Sequence, residues 1–344
     1  MPGQASMLPR GRPLLKWAGG KRQLLPVLRR YYPVEFDRYI EPFVGSGAVF
    51  FDLYAAGRLE GRRVRLVDVN PDLIGCYRTV RDDADAVIAA LAELDEEHRA
   101  RGSACYYDVR NGRFNPGRAV LGDRAASTYT PALAAMLIYL NRTGYNGLFR
   151  LNRHGAFNVP AGRYADPRIC DPEHIRSVAR AFATEQVALE CGRFDDTLEA
   201  TRPGDFVYCD PPYAPISRTA SFAHYTAAGF GALDHRRLQR AVVSAARRGA
   251  WVLLSNSSAP EIEAGYTAPA ARMAGLTIRR VPAHRAINSR PALRGPVDEL
   301  LITNARARRL DDVSIRMLPA STIKDLRASH PDKLSAARAR KRQA

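Results

Sequence analysis

The segment Val207–Pro215, VYCDPPYAP, places a carboxylate, two prolines and a tyrosine directly after an apolar, strand-like run. Asp-Pro-Pro is also ordinary turn chemistry, with the tyrosine as its cover. Together these residues can do more. An exocyclic amine on a nucleobase is a weak nucleophile because its lone pair is delocalised into the ring. A carboxylate and a main-chain carbonyl that each accept one of its N–H bonds favour a localised lone pair aimed at an electrophilic methyl. Asp210 supplies the carboxylate. The Pro211 carbonyl supplies the second acceptor, held by the stiff Pro211-Pro212 turn. Tyr213 offers a flat face to a base rotated out of its helix. In-line displacement from a sulfonium needs neither a covalent enzyme intermediate nor a metal.

A second constellation concerns a cofactor. In EPFVGSG, Gly45 and Gly47 follow a strand and let the backbone approach a ligand closely. The third glycine of a dinucleotide fingerprint would fall at residue 50, which is Phe50, so a diphosphate is disfavoured. Asp68 ends the next strand-like run, roughly 20 residues on, where an acid accepts from ribose hydroxyls; capping a helix is its other possible role. Glycine loop and spaced acid point to a nucleoside without a diphosphate, and S-adenosylmethionine fits. Trp17 and Lys21 flank the Gly19-Gly20 break and would add a stacking surface and a cation for a carboxylate. The cysteines Cys76, Cys105, Cys170, Cys191 and Cys209 are scattered, so reduced thiols and no metal site are expected.

The formal net charge of +17 is clustered. Residues 1–30 hold seven basic residues and no acid, and residues 131–165 hold four arginines and no acid. Residues 305–344 carry eleven basic against four acidic residues, a net of +7. Such clusters suit a partner rich in phosphate. At 46% hydrophobic and 25% charged the chain reads as globular. No run approaches the ~20 apolar residues of a membrane span, and the N-terminus lacks the apolar stretch of a signal peptide. The cytoplasm and no membrane partner are therefore expected.

These residues need a scaffold. RYIEPFVGSGAVFFDLYAAG reads as strand, glycine loop and helix, with Gly57 ending the helix, and RRVRLVDVNPDLIGCYRTVR repeats the pattern. Leu24, Leu25 and Leu28 predict one face of a helix after Gly20. Residues 82 to about 205 read as mostly helical and irregular. Within them Leu133, Met136, Leu137 and Leu140 mark a helix stopping near Gly144, and LFRLNRHGAFNVPAGRY suggests a hairpin. Alternation resumes with DFVYCDPPY, a helix near 232–248, and the strands AWVLLSN, LTIRRV and VDELLITN. The expectation is an α/β chain with a Rossmann-like, mostly parallel sheet, formed by residues 1–81 and 186–304. Residues 82–185 are expected as an inserted helical and hairpin domain, and 305–344 as a basic, partly disordered extension.

LLKWAGGK, YIEPFVGSGAVF, LVDVNPDLI, YLNRTGYNGLFRLNRHGAFNVPAGRY, VYCDPPYAP and VDELL occur in this order, and in this the chain resembles the Dam-type (D12 class, alpha group) DNA adenine-N6 methyltransferases. The resemblance spans roughly residues 13–304 and is most specific from Asn141 to Tyr164. It implies a fold binding S-adenosylmethionine through Trp17, Lys21, Phe43, Gly45, Gly47, Asp68, Phe194 and Asp210, with no metal, and an insertion that reads double-stranded DNA. It makes Tyr145 a wedge at the site of base extrusion, Asn146 a partner to the backbone there, and Arg150 the reader of a guanine. Leu148, Pro160 and Tyr164 resemble further base contacts; Leu148 and Pro160 could equally form a hairpin core. Lys16, Arg110, Arg142, Asn152 and Asn158 resemble DNA contacts, the last four to phosphates. The implied target is GATC, and the implied setting a prokaryotic or phage-encoded monomer with a cognate restriction endonuclease as a candidate partner.

Rival chemistries fit less well. Cytosine-N4 methylation uses the same amine chemistry, but the acid of Asp210 and the adenine-type module argue against it. Cytosine C5 methylation needs a thiol nucleophile, usually in a Pro-Cys pair, whereas Cys209 follows Tyr208. The His-x-Glu and Pro-Cys-x-x-Cys ligands of a zinc deaminase are missing. An inactive DNA-binding regulator on the same fold would not need Lys21, Asp68, Asp210 and Tyr213 together.

Overall fold

The computed structural model describes residues 12–17, 19–184, 186–215, 229–284 and 296–308. The basic residues expected to matter before residue 12 and after residue 308 lie outside these. The chain runs through α1 (Leu25–Leu28), β1 (Arg38–Glu41), α2 (Ala48–Ala55), β2 (Arg63–Asp68), α3 (Pro71–Asp82), α4 (Ala84–Arg101), α5 (Ser103–Asp108), α6 (Asn115–Leu121), α7 (Ala125–Thr128), α8 (Pro131–Thr143) and α9 (Pro172–Phe182). It continues through β3 (Val187–Cys191), α10 (Phe194–Glu199), β4 (Phe206–Cys209), α11 (Ala232–Arg247), β5 (Trp251–Ser257), α12 (Pro260–Thr267), α13 (Pro269–Met273), β6 (Thr277–His284) and β7 (Pro296–Thr303).

The strands form one sheet in the order β3-β2-β1-β4-β5-β7-β6. The first five run parallel, and β7 is antiparallel to both β5 and β6. Tyr39, Ile40, Leu66, Phe206, Val207, Leu253 and Leu254 are completely buried, as a parallel sheet covered on both faces requires. This is a Rossmann-like α/β fold. The strand order reverses between β1 and β4, and the crevice at such a reversal opens beyond the carboxyl ends of the strands. Glu41, Asp68 and Asp210 all stand there, at or one residue past the ends of β1, β2 and β4.

Local chemistry sets the elements around that crevice. The Asn70 side chain accepts from the Asp72 and Leu73 N–H groups and Pro71 fills the first helical position, so β2 turns sharply into α3. Gly75 within α3 lets α7 press close: a Cβ there would lie 2.8 Å from the Ala125 carbonyl oxygen and from Tyr129. On α9, Phe182 stacks on Phe50 at 5.5 Å and meets Tyr77 at 5.0 Å. One apolar cluster thus joins sheet residues such as Tyr39 and Phe206 to Leu91, Tyr106 and Leu137 of α4, α5 and α8.

Three elements differ from expectation. The helix after Gly20 is broken into single turns, Lys21–Gln23, α1 and Arg29–Tyr31, with Leu24 and Leu28 buried and Leu25 half-buried; Pro26 has no N–H to extend a ladder. Strand β3 lies in sequence that reads as irregular. It forms because its five residues pair in register with β2, from Val64 opposite Val187 to Asp68 opposite Cys191. The hairpin after Leu148 holds only the isolated bridges Gly144 to Ala161 and Leu151 to Phe157. Phe149, Phe157 and Val159 turn into the core and alternate with the more exposed Leu148, Arg150, Asn158 and Pro160, without a continuous ladder between the two arms. Among the described residues no helix is long and apolar enough to cross a membrane.

Candidate active site

Asp210 follows β4, and Lys21, from the first turn after Gly20, reaches it. Lys21 Nζ lies 2.8 Å from Asp210 Oδ1 and donates to the Gly19 carbonyl at 2.5 Å, with only 4% of the side chain exposed. Ser255 Oγ, on β5, also donates to Oδ1, at 3.3 Å, and among the described residues no hydrogen bond engages Oδ2. Burial pushes the Asp210 carboxyl up and Lys21 opposes the rise, so the group remains a strong proton acceptor. No donor among the described residues engages the Pro211 carbonyl. Lys21 Nζ lies 4.7 Å from the centre of the Tyr213 ring, covering one face. The Tyr213 hydroxyl donates to Glu299 Oε2 at 2.6 Å. The chain just beyond is clamped to β5: Ala214 N–H donates to Asn256 Oδ1 at 3.3 Å and Ser257 Oγ donates to the Ala214 carbonyl at 2.7 Å.

The glycine loop lies beside this pocket. Gly45 has a φ of +46°, and a Cβ there would stand 2.8 Å from Trp17 Cδ1, so only glycine lets the indole close over the loop. The Gly45 N–H donates to Asp68 Oδ2 at 3.1 Å and the Asn70 N–H donates to Oδ1 at 2.9 Å. Burial pushes this carboxyl up to about 6 against the pull of the Asn70, Gly45 and Val69 N–H groups. Gly47, with φ +68°, starts α2. Phe43 stacks on Phe194 at 5.4 Å, and Phe230 meets both edge-on or tilted at 5.9 and 5.8 Å. An indole over a glycine loop, a strand-end carboxylate and an aromatic nest suit a nucleoside. Among the described residues no three His, Cys, Asp or Glu side chains gather as metal ligands would.

The segment after α8 forms an arch that meets Trp17 and Lys16 through Phe149 and Asn141. Tyr145 is 49% exposed and Asn146 takes a φ of +53°, the one positive value outside glycine among the described residues. The Tyr145 N–H donates to the exposed Pro160 carbonyl at 2.9 Å. Arg150 Nε donates to Asn158 Oδ1 at 2.8 Å, and the Asn158 N–H returns to the Arg150 carbonyl. Lys16 Nζ sits 4.6 Å above the ring of Tyr164. Lys16, Tyr145, Arg150, Asn158, Pro160 and Tyr164 therefore share this arch and are open to solvent to differing degrees. Other expected contacts are engaged internally. Leu148 is half-buried against the core. Asn152 Oδ1 closes its own turn by accepting from His154 and Ala156 N–H. Arg110 donates to the Val159 carbonyl. The Arg142 guanidinium donates inward to the Ile169 carbonyl, away from the arch.

Several residues of the site carry no local signal. Buried Asn141 bonds the main chain of Lys16 in both directions and donates to the Gly147 carbonyl. Phe149 stacks on Trp17 at 5.8 Å. Both tie the arch to the glycine loop. Ser255, Glu299 and Phe230 reach the crevice only through the sheet order and α11. Glu299 lies within VDELL, one of the motifs in which the sequence resembles the family.

Comparison with known proteins identifies the family. The family model described as D12 class N6 adenine-specific DNA methyltransferase matches residues 17–276. The Type II methyltransferase M1.LlaDCHI of Lactococcus lactis subsp. cremoris is 35% identical over 293 residues, 85% of this chain and 95% of that protein. The Type II methyltransferase M.MjaIII of Methanocaldococcus jannaschii is 37% identical over 306 residues, 85% of this chain and 99% of that protein. The DNA adenine methylase of Escherichia coli K12 is 33% identical over 292 residues, 85% of this chain and 95% of that protein. The chain belongs to the D12 class of N6 adenine-specific DNA methyltransferases.

Proposed function

We propose that this chain methylates the N6 amine of adenine within GATC in double-stranded DNA, taking the methyl from S-adenosylmethionine after the base has rotated out of the duplex. The observation that carries the reading is the Asp210–Tyr213 turn, where a carboxylate with one oxygen engaged and the other free of hydrogen bonds to the described residues stands beside a tyrosine with one face covered by Lys21. Asp210 Oδ2 and the Pro211 carbonyl accept the two N–H bonds of the amine, and the carboxylate takes the proton that leaves as the new bond forms. The uncovered face of Tyr213 takes the adenine ring; Pro212 keeps the turn rigid.

Trp17, Lys21, Phe43, Gly45, Gly47, Asp68, Phe194 and Asp210 hold the cofactor, which supplies a methyl on a sulfonium. Residues 82–185 form the target-reading part of the chain and residues 1–81 with 186–304 the catalytic part. Tyr145 wedges the duplex, Asn146 supports the backbone there and Arg150 reads a guanine. Lys16 adds a DNA contact, Leu148, Pro160 and Tyr164 base contacts, and Arg110, Arg142, Asn152 and Asn158 phosphate contacts. The positive residues of 305–344 add sequence-independent attraction. The chain works as a cytoplasmic monomer, and relatives with Type II names make a cognate restriction endonuclease its candidate partner.

The test is incubation of the protein with methyl-labelled S-adenosylmethionine and duplexes that do or do not contain GATC, followed by identification of the modified nucleoside and its position. N6-methyladenine at GATC is expected. Label on cytosine, or on adenine in another sequence, overturns the chemistry or the target respectively.

A further inference from the structure

The Tyr213 hydroxyl is bonded to a carboxylate that lies on a different strand. Glu299 is 9% exposed and sits in β7, directly opposite Ser257 of β5, so the sheet itself holds it at the crevice. Its Oε2 accepts from Tyr213 at 2.6 Å. Tyr213 is half-buried, and a serine or a carbonyl would satisfy its phenol at lower cost, since desolvating a charge is far more expensive than desolvating a neutral acceptor. The carboxylate also adds a second negative charge near Asp210, one of the influences that raise the Asp210 carboxyl.

We propose that Glu299 is a positioning residue for methyl transfer: by anchoring the far end of Tyr213 it fixes the ring face on which the target adenine stacks. The near end is already fixed, because Ala214 is bonded to Asn256 and Ser257 of β5. Glu299 supplies the only restraint on rotation of the ring from its hydroxyl end among the described residues, and Lys21 closes the face opposite the adenine. The chain Glu299, Tyr213, Lys21, Asp210 thus alternates anion, ring, cation and anion across β7, the turn and the glycine break, and holds the stacking plane in a set relation to the carboxylate that engages the amine. The inference rests on the reading of the Asp210–Tyr213 turn as the amine pocket.

A double-mutant cycle tests it, with Glu299→Ala, Tyr213→Phe, the pair together, and Glu299→Gln, which keeps an acceptor oxygen. The readouts are the single-turnover rate of adenine methylation at saturating duplex and cofactor, and the dissociation constants of both. Loss of a hydrogen bond to a charged group predicts a fall of roughly tenfold or more for Glu299→Ala and for Tyr213→Phe, with the double variant no slower than the slower single and Glu299→Gln recovering most of the rate. Dissociation constants should move by less than about threefold, because a positioning defect appears in the chemical step. Tyr213→Phe removes one hydroxyl and keeps the ring, so it remains informative if Glu299→Ala does not fold. Losses that multiply in the double variant, or a Tyr213→Phe rate equal to that of the parent, overturn the inference. If the parent protein itself transfers no methyl to adenine, it is the underlying reading that fails.

Discussion

Lys21 Nζ lies 2.8 Å from Asp210 Oδ1, although Lys21 precedes the first strand and Asp210 follows the fourth. The lysine is almost wholly buried and the aspartate side chain is 20% exposed, so the pair is a cation held inside by a carboxylate that still meets the crevice. Burial pushes the Asp210 carboxyl up, and the engagement of Oδ1 by Lys21 and Ser255 opposes that push. Asp210→Asn keeps the shape but removes the charge from both tasks. Methyl transfer should fall by roughly a hundredfold or more, while duplex affinity stays within about threefold if the DNA contacts lie on the arch as proposed. Loss of the counter-ion of Lys21 should cost about 1 to 3 kcal/mol, less than a fully buried pair because Asp210 is partly solvated. Single-turnover kinetics, duplex titration and thermal unfolding check the three parts.

Asp68 gives a prediction with a defined pH window. Its carboxyl is pushed up to about 6 from an ordinary 3.8. Between these values the folded chain holds a proton that the unfolded chain has released. The stabilisation is therefore complete below the unfolded value and is lost as pH rises through about 6. The difference in unfolding free energy between the parent and Asp68→Asn should slope by up to ~1.4 kcal/mol per pH unit across that window and be flat above it. Cofactor affinity should run the other way, since ribose hydroxyls donate better to the charged form: the parent should bind S-adenosylmethionine more weakly as pH falls below about 6. Asp68→Asn should bind weakly throughout, without that limb. Calorimetric titrations on both sides of the window decide, and parallel profiles for the two proteins would contradict the assignment.

Gly45→Ala tests the closure of Trp17 over the loop. The new methyl would meet Cδ1 of the indole at 2.8 Å, on a residue whose φ is +46°. Strain of about 1 to 2 kcal/mol from the left-handed backbone adds to displacement of the ring. A lower Tm, an altered emission from Trp17 and weaker cofactor binding are expected together. An unchanged Tm with normal binding would mean that the indole moves aside freely.

Much of this architecture was legible because its signals are local. The cap at Asn70-Pro71, the positive φ at Gly47 and the position of Asp68 at the end of β2 each follow from residues a few places apart. Strand β3 was not legible: Val187–Cys191 has little alternation, and its conformation comes from pairing with β2. The hairpin after Leu148 was legible as a reversal but not as a ladder, because burial of Phe149 and Phe157 decides where the side chains turn. At the site, Lys21 was expected to face a cofactor carboxylate, and the carboxylate that it meets in the protein is Asp210. Glu299 could not be found from spacing at all, since β7 comes beside β5 only through the antiparallel insertion of the last strand.

The arch yields the prediction on specificity. Arg150 follows Tyr145 by five positions, and its Nε is held by Asn158 Oδ1 at 2.8 Å, so the guanidinium is oriented before any base arrives. One unit can then unstack the adenine and place a fork against a neighbouring guanine, which couples extrusion to correct reading. A bidentate contact is worth about 1 to 3 kcal/mol of discrimination, so Arg150→Ala should reduce selectivity at one guanine position by roughly 5- to 150-fold. Methylation of the best site should fall less. Asn158→Ala should show the same pattern in weaker form, because it frees the side chain without removing it. Tyr145→Ala should instead slow transfer on every duplex alike, since it removes the wedge and leaves the reader in place. Rates on a panel of duplexes, each with one base pair of the site replaced, separate these outcomes. If Arg150→Ala ranks every duplex as the parent does, the guanine is read by another residue of the arch.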